Sequence, residues 1–220
     1  MPVLKIKDLA ALQSGLPLGS RDFVDDGNAW VLQGNSITRL PVVVNRAAEG
    51  EFIKSARDSV VSYKGQKDKL RQVKVMKSLD EKAIQKNDVL FRARGGLFES
   101  LKAYLPFDQQ DTNISDGKPY VINNTLINLR PNSNVIPRYL AWAINNFRSE
   151  LFLQSSRSGA AALMTVSIKQ LAEVSLPVPT YKVQETILAT FDDIEKSRAI
   201  AEAKNDAANQ LLCGLAEKHS

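Results

Sequence analysis

The sequence predicts an α+β fold: a mixed β-rich domain with a few helices, followed by a long C-terminal α-helix suited to coiled-coil pairing. Two observations support this prediction. Up to about residue 180, short apolar segments alternate with clusters of Gly, Pro, Asn and Asp, as in a sheet-rich domain. Residues 182–217 then contain no proline and one glycine, Gly214, so they can form one helix of roughly 50 Å. We therefore divide the chain into a globular domain, residues 1–180, and a helix, residues 181–220.

The first part of the domain has the pattern of strands joined by polar turns. Asp25-Asp26-Gly27 is the clearest turn signal. Trp30, close after this turn, is more typical of a core residue than of a ligand contact, and the same holds for Trp142. The predicted strands are residues 3–12, 29–32 and 41–44.

Positive charge is concentrated in the middle of the chain. The formal net charge is +5 for the whole chain but +7 for residues 38–105, and both flanks are slightly negative. Such a span is typical of a protein that binds a polyanion. A solvated charge run is the alternative, but the excess has one sign and glutamines interrupt it, which favours phosphate contact. The residues predicted to make such contacts are Lys64, Gln66, Lys67, Lys69, Arg71 and Lys74.

A second basic site ends a predicted strand at residues 89–96. Arg92 and Arg94 are two residues apart, so they would share one face of that strand. Arginine is also well suited to contact guanine O6 and N7 in the major groove of DNA. A hairpin with two surface arginines is the alternative. Arg157, in a polar loop at residues 155–159, is a further candidate for contact.

The segment that leads into the last helix contains several local signals. Pro137 suits the first position of a helix. Ser167 and Gln170 have capping-box spacing, which predicts a short helix that starts after Ser167. A short strand follows, and Pro177 and Pro179 then exclude helix and set where the last helix begins and points. The helix that starts at Pro137 is predicted to bury one apolar stripe, formed by Leu140, Ile144, Phe147 and Leu151.

The last helix carries a heptad seam. Its positions alternate in spacings of four and three, as in a coiled coil. Bulky residues occupy both ends of the seam, whereas Arg198 and small or polar residues occupy its middle. A helix folded back on its own domain is the alternative. The residues predicted to mediate dimerisation are Ile187, Phe191, Ile194, Ala201, Asn205, Ala208, Leu212 and Leu215.

Several function classes lack the residues that they need. The single histidine, His219, and the single cysteine, Cys213, disfavour a histidine-based triad, a disulfide and a thiolate zinc cage. No Walker motif or dinucleotide-binding glycine motif is present. The acidic residues Asp80 and Glu81 are of the types found in metal-dependent nuclease sites, but the sequence predicts no convincing strand at these positions. No apolar run of membrane-spanning length and no leader peptide pattern is found, so a cytoplasmic protein without membrane contact is expected.

Three segments resemble one known family. The segment Leu176-Pro-Val-Pro-Thr-Tyr-Lys-Val-Gln-Glu-Thr-Ile187, followed by a long helix, resembles the end of a target-recognition domain in the specificity subunits of type I restriction-modification systems. Residues 4–10 with Ser14-Gly-Leu-Pro17 resemble the start of such domains, and Asn87-Asp-Val-Leu-Phe91 resembles their internal turn into a strand. The likeness runs from about residue 4 to the C-terminus.

This resemblance implies a non-catalytic subunit that binds double-stranded DNA by sequence. It implies docking to a methyltransferase (modification) subunit and an association with a restriction/translocase subunit. S-adenosylmethionine and ATP would belong to those partners, so no cofactor is expected in this chain. Full specificity subunits carry two recognition domains and two spacer helices. This chain has room for one of each, so we expect a half-subunit that pairs through its helix as a homodimer and recognises an interrupted palindrome.

Three other functions stay open from the sequence. An adaptor protein would use the helix for assembly and would not bind duplex DNA. A methyltransferase or nuclease in its own right would show activity as the isolated chain. A silent specificity fragment, exchanged by recombination with a full-length relative, would have the same fold and no independent partner.

Overall fold

The computed structural model describes residues 1–34, 71–75, 79–95, 101–105, 118–147, 156–158 and 163–218. The described part combines strands and helices and ends in one long helix, which confirms the predicted fold class. In chain order the elements are β1 (Val3–Lys5), α1 (Ile6–Leu9), β2 (Ala10–Ser14), a 3-10 helix (Ser20–Asp22), β3 (Phe23–Val24), β4 (Ala29–Leu32), β5 (Arg71–Val73), α2 (Leu79–Lys82), β6 (Val89–Arg92), β7 (Arg94–Gly95), β8 (Ala103–Tyr104), β9 (Tyr120–Ile122), β10 (Leu126–Pro131), α3 (Pro137–Asn146), β11 (Ser156–Ser158), β12 (Leu163–Thr165), α4 (Ile168–Glu173), β13 (Ser175–Pro177) and α5 (Tyr181–Lys218).

The main sheet has the strand order β2-β10-β6-β8, and each neighbouring pair is antiparallel. One face of this sheet belongs to the largest apolar core, to which α1, α3 and α4 contribute. Tyr139 of α3 is buried in this core, and its hydroxyl donates a hydrogen bond to the carbonyl oxygen of Pro177 at 2.8 Å. Burial also raises the pKa of Tyr139. The core therefore holds α3 against the segment that leads into α5.

A second sheet, with the order β3-β5-β4-β9, covers the other face of the main sheet. Leu32 and Ile122 of this sheet pack with Leu90 and Leu126 of the main sheet in a small core. The pair β4–β9 is parallel, whereas β5 is antiparallel to both of its neighbours. Two smaller sheets, β1-β13 and β11-β12-β7, complete the described strands.

The predicted strand at residues 3–12 is wrong in one respect. One turn of helix, α1, interrupts it between β1 and β2. Ile6 and Leu9 are three residues apart and both fully buried in the main core. A strand would place residues at this spacing on opposite faces, so their joint burial favours the helical turn. The predicted strand at residues 41–44 lies outside the described residues, and Trp30 and Trp142 are half-buried.

The local predictions before α5 are confirmed except for one part of the apolar stripe. Leu140 and Ile144 are buried, but α3 ends at Asn146 and Phe147 is 39% exposed, and Leu151 lies outside the described residues. Ser167 caps α4, and its capping box with Gln170 is complete, with the Ser167 amide donating to the Gln170 side chain at 2.8 Å. Pro137 is the first residue of α3. The long helix begins at Tyr181, directly after the elbow at Pro177 and Pro179, and it runs for 38 residues. At about 1.5 Å per residue this length corresponds to about 57 Å.

The turn into β6 is built around a buried carboxylate. Asn87 has a positive φ of 71°, which asparagine tolerates better than most residues. Asp88 is 1% exposed and accepts hydrogen bonds from the Gln85 amide, from Asn128 and from Arg130. The hydrogen bond between the side chains of Arg130 and Asp88 raises the pKa of Arg130. The pattern Asn87-Asp-Val-Leu90 therefore has a structural cause, since the left-handed turn and the buried carboxylate join β6 to β10.

Candidate nucleic-acid interface

One edge of the main sheet collects chain segments that are far apart in sequence. The end of β2, the start of β10, the end of β6 and the start of β8 meet there, since Ser14 pairs with Ile127, Leu126 with Arg92, and Phe91 with Ala103. The end of β4 joins them, because the Asn123 amide donates to the carbonyl oxygen of Leu32 at 3.1 Å. We call this region the arginine edge. It comprises Ser14, Gly15, Gly34, Arg92, Ala93, Arg94, Gly95, Lys102, Asn123, Asn124 and Thr125.

Arg92 is the last residue of β6 and is fixed at its stem. Its amide donates to the carbonyl oxygen of Lys102 at 2.8 Å, and its Nε donates to the carbonyl oxygen of Arg94 at 3.1 Å. A Cβ atom on Gly34 would lie 3.2 Å from this Nε, so the side chain passes close to the Gly34 backbone. Arg92 is half-buried, whereas Arg94 is exposed.

The structure differs from the predicted single strand through Arg92 and Arg94. The chain leaves the main sheet at Ala93. The amide of Ala93 donates to the carbonyl oxygen of Thr125, and its carbonyl oxygen accepts from the amide of Val166, both at 2.9 Å. Arg94 then starts β7 in a different sheet, where it pairs with Thr165. The two arginines therefore come from two sheets that meet at the arginine edge.

A tight polar turn lies next to these arginines. Asn123 Oδ1 accepts hydrogen bonds from the amide and the hydroxyl of Thr125, and Thr125 Oγ1 accepts from the Gly34 amide at 3.0 Å. Gly15 packs directly under the turn, where an added Cβ would lie 2.0 Å from the carbonyl oxygen of Asn123. Asn124 at the tip is exposed. The turn therefore presents polar groups on a rigid backbone.

The predicted contact residues fall into three groups. Lys64, Gln66, Lys67 and Lys69 lie outside the described residues, and the backbone of Arg71 pairs with Val31 near the end of β4. Arg157 lies on the strand β11 and not in the predicted polar loop, and its partner on β12, Met164, also pairs with Gly95 of the arginine edge. Lys74 is exposed after the opposite end of β5, where Val73 pairs with Ala29. The structure therefore brings Arg71, Arg92, Arg94 and the strand of Arg157 towards one region, and it does not bring Lys74 there.

The charges of the arginine edge suit an anionic ligand. Its members include Arg92, Arg94 and Lys102 and contain no carboxylate. Lys102, Asn124 and Thr125 were not predicted from the sequence, although the Asn-Asn-Thr run between two apolar segments is a turn signal. In the described ranges, no group of three or more His, Cys, Asp or Glu side chains could hold a metal ion. The helices of those ranges also include none that is long and apolar enough to cross a membrane.

The first three turns of α5 are attached to the domain. Gln184 is fully buried, and Leu188 and Asp192 are 7% and 5% exposed. These residues are spaced by four and therefore lie on one face of the helix. Asp192 forms a bidentate ion pair with Arg138 of α3. We call residues 181–192 the anchored segment.

Residues 193–213 of α5, which we call the exposed segment, are exposed or half-exposed along their whole length. Large apolar side chains among them include Ile194, Ile200, Leu211 and Leu212, at 46%, 57%, 70% and 64% exposure. The alternative of a helix folded back on its own domain does not hold for these residues.

The predicted seam runs along both segments of α5. Ile187 is partly buried against the main core, so this position contacts its own domain, and Phe191 is half-buried. Leu215 lies on the helix, but its side chain is outside the described part. The seam residues in the exposed segment are Ile194, Ala201, Asn205, Ala208 and Leu212, and all of them are exposed.

Comparison with known families shows the family to which the chain belongs. Residues 1–210 match the family described as the type I restriction modification DNA specificity domain. The chain belongs to this family. The match covers the arginine edge and most of α5, so both are parts of a DNA specificity domain. No curated protein sequence is significantly similar to the chain.

Solved structures have the same fold. The HsdS subunit from Thermoanaerobacter tengcongensis is 16% identical to the chain, with a TM-score of 0.55 over 90% of this chain and 38% of that protein. A chain from a structure on complex assembly and conformational transition of the type I R-M system is also 16% identical, with a TM-score of 0.56 over 96% of this chain and 43% of its own length. The specificity domain described here therefore spans about two fifths of the length of these relatives.

Proposed function

We propose that this specificity domain reads one half-site of a bipartite DNA target and that the arginine edge contacts the DNA. The single observation that supports this proposal most strongly is the convergence of Arg92, Arg94 and Lys102 on one edge without a carboxylate among them. Lys and Arg side chains that neutralise phosphates release counterions, which gives sequence-independent affinity. Base-specific contacts would come from Arg94 and from the polar turn at Asn124, because arginine and asparagine can pair with guanine and adenine edges in the major groove.

Pairing of two copies through α5 supplies the second half-site in this proposal. The exposed segment carries the seam residues Ala201 and Ala208, which allow close approach of two helices, and the bulky Ile194 and Leu212 on either side of them. In an antiparallel pair these bulky residues would lie at opposite ends of the same seam. Two-fold symmetry then gives two domains that read the same half-site in inverted order, and α5 sets the distance between them.

The chemistry belongs to partner subunits in this proposal. The chain would dock a methyltransferase subunit, which binds S-adenosylmethionine, and through that assembly it would join an ATP-dependent restriction/translocase subunit. The chain itself would bind no cofactor and perform no catalysis. Its role is to place the methyltransferase at the target.

The DNA contacts are tested by salt-dependent binding to a genomic fragment library. The variant R92A/R94A/K102A removes three cations from the arginine edge, and K67A/K69A/R71A removes three from the basic span. For each phosphate contact that is lost, the slope of log K against log salt concentration falls by about 0.9. The matched control is K82A/K86A/K182A, which removes three cations elsewhere on the described surface and is expected to keep the wild-type slope. An unchanged slope for the first variant would remove the arginine edge from the interface.

The assembly is tested by copurification with a methyltransferase subunit of a type I system, followed by mapping of methylated sites. Interrupted palindromes are the expected product. DNA binding without a partner would favour a silent fragment, assembly without DNA binding would favour an adaptor protein, and methylation by the isolated chain would contradict the assignment of catalysis to a partner.

A further inference from the structure

Polar contacts hold the anchored segment of α5 at two separate points. We propose that Gln184 and the Arg138–Asp192 pair are positioning residues, which fix the direction of α5 relative to the DNA-reading domain and thereby restrict the spacing between half-sites. The second part of this inference rests on the proposed function, in which two copies read two half-sites.

The first point of attachment is Gln184. Its side chain is fully buried. Its Oε1 accepts from the Ile136 amide at 2.8 Å, and its Nε2 donates to the carbonyl oxygens of Asn134 at 3.2 Å and Pro179 at 3.0 Å. These groups belong to the turn before α3, which contains Asn134 and the N-cap residue Ile136, and to the elbow before α5. One side-chain amide therefore joins two backbone segments, the turn before α3 and the elbow, to the start of α5.

The second point of attachment is Asp192, two turns further along the helix. Arg138 Nη1 donates to Asp192 Oδ2 at 2.8 Å, and Arg138 Nη2 donates to Asp192 Oδ1. A planar guanidinium that faces a carboxylate with two parallel bonds restricts the angle between the groups as well as their distance. Leu188 packs into the main core between the two points.

Two points of attachment fix the direction of the helix, whereas a single point would allow the helix to rotate about it. Gln184 and Asp192 are eight residues apart, or about 12 Å along the helix. Apolar packing at Leu188 stabilises the attachment of α5 but constrains its direction only weakly, because the hydrophobic effect is not directional. The polar contacts therefore decide the angle at which α5 leaves the domain.

The exposed segment amplifies any change of this angle. From Asp192 to Cys213 the helix extends about 32 Å, so a tilt of about 10° moves Cys213 by about 5 Å. The rise of B-DNA is about 3.4 Å per base pair. A tilt of this size would therefore change the accessible half-site spacing by more than one base pair.

The helix direction is tested by distance measurement in the full chain. Cys213 is the only cysteine of the sequence and is exposed, so it takes one spin label directly. The substitution Lys86→Cys, at an exposed position of the turn before β6, provides the second site. Samples are mixed with excess unlabelled protein, and loss of the dipolar signal in a sample labelled at Cys213 alone verifies that distances between copies are absent.

The decisive variant is R138M/D192L, which removes the ion pair but keeps side chains of similar size. We expect it to fold, because well-packed apolar residues can replace a buried ion pair without loss of stability. Its distance distribution should be at least about twice as broad as that of wild type, because the directional contact is lost. R138K, which keeps the charge but loses the planar fork, should also broaden the distribution. The matched control is D193N, since Asp193 is the next residue, is exposed, and its carboxylate bonds only to Lys196 of its own helix among the described residues.

The outcomes separate the two parts of the inference. A width equal to that of D193N in both R138M/D192L and R138K would overturn the positioning role.

The spacing role is then read from DNA selected by each protein out of a random library. Wild type should select one spacer length, and R138M/D192L should select the same half-site bases with several spacer lengths. Unchanged spacing in a variant with a broadened distribution would overturn the spacing role. Failure of the wild-type protein to select any DNA would instead contradict the proposed function, while the distance measurement would still decide the positioning role.

Discussion

The anchored segment and the exposed segment are two parts of one helix with different sources of stability. In the anchored segment, buried polar groups on Gln184 and Asp192 are fully paired with the domain, and Leu188 lies in its core. In the exposed segment, apolar side chains such as Ile200 and Leu211 lie in solvent, and the ion pairs are local pairs three residues apart. The first segment is therefore specified by the chain itself, whereas the second has a surface that another helix can cover.

The largest expected difference between the segments concerns two adjacent aspartates. Asp192→Ala leaves the guanidinium of Arg138, which is 20% exposed, without its partner, and should lower the free energy of unfolding by about 3 kcal/mol. Asp193→Ala, at a position whose side chain is 78% exposed, should change it by less than about 0.5 kcal/mol. Urea denaturation of both variants measures the difference. Equal effects would show that burial of the Arg138–Asp192 pair does not distinguish the two segments.

A substitution in the exposed segment is expected to have an intermediate effect. It should act on the association of two copies and not on the folding of the domain. Leu212→Ala should leave the unfolding of the domain unchanged but raise the dissociation constant of the proposed homodimer about tenfold, because a side chain that would be buried in the seam is removed. The control is Asp206→Ala, an exposed position about 120° away around the helix. Sedimentation over a concentration series measures both constants. A wild-type protein that stays monomeric at tens of micromolar would contradict pairing through α5.

The same division explains which features could be predicted from the sequence. The capping box of Ser167 and Gln170, the elbow at Pro179 and the length of α5 depend on residues close together in the chain, and these predictions are confirmed. The helical turn at Ile6 and Leu9 was missed because tertiary burial decided it. The partnership of Arg138 with Asp192 spans 54 residues, so no local pattern contains it. The spacing of Gln184, Leu188 and Asp192 by four was nevertheless a signal of one buried face.

The arginine edge was predicted only in part, and strand order is the reason. Arg92 and Arg94 were predicted because two arginines on one strand face suit contacts with guanine, but the passage from one sheet to the other at Ala93 depends on hydrogen bonds to Thr125 and Val166. Lys102 has no distinctive neighbours in sequence, and it reaches the edge because β8 pairs with β6. Sequence pattern identifies which residue types are suited to DNA, whereas the pairing of distant strands decides which of them meet.

The smallest effect is expected at a surface ion pair close to α5, and it contrasts with the buried pair at Asp192. Lys5 and Lys7 each place Nζ 2.6 Å from a carboxylate oxygen of Glu173, and their hydrogen bonds lower the pKa of Glu173 from 4.5 to about 2. Because the folded-state pKa is the lower one, the ionised carboxylate favours folding, and this contribution is complete above pH 4.5 and lost as the pH falls towards 2.

The urea midpoints of wild type and Glu173→Gln should therefore differ slightly at pH 6 and less at pH 3. The difference is small because the side chains of Glu173 and both lysines are nearly half exposed, so solvent screens the pair. Added salt should shrink it further, whereas the effect of Asp192→Ala should persist because buried pairs are screened much less. A Glu173→Gln difference that grows as the pH falls would contradict the lowered pKa. Equal salt sensitivity at both sites would instead mean that solvent reaches the ion pair of the anchored segment as freely as it reaches the pair at Glu173.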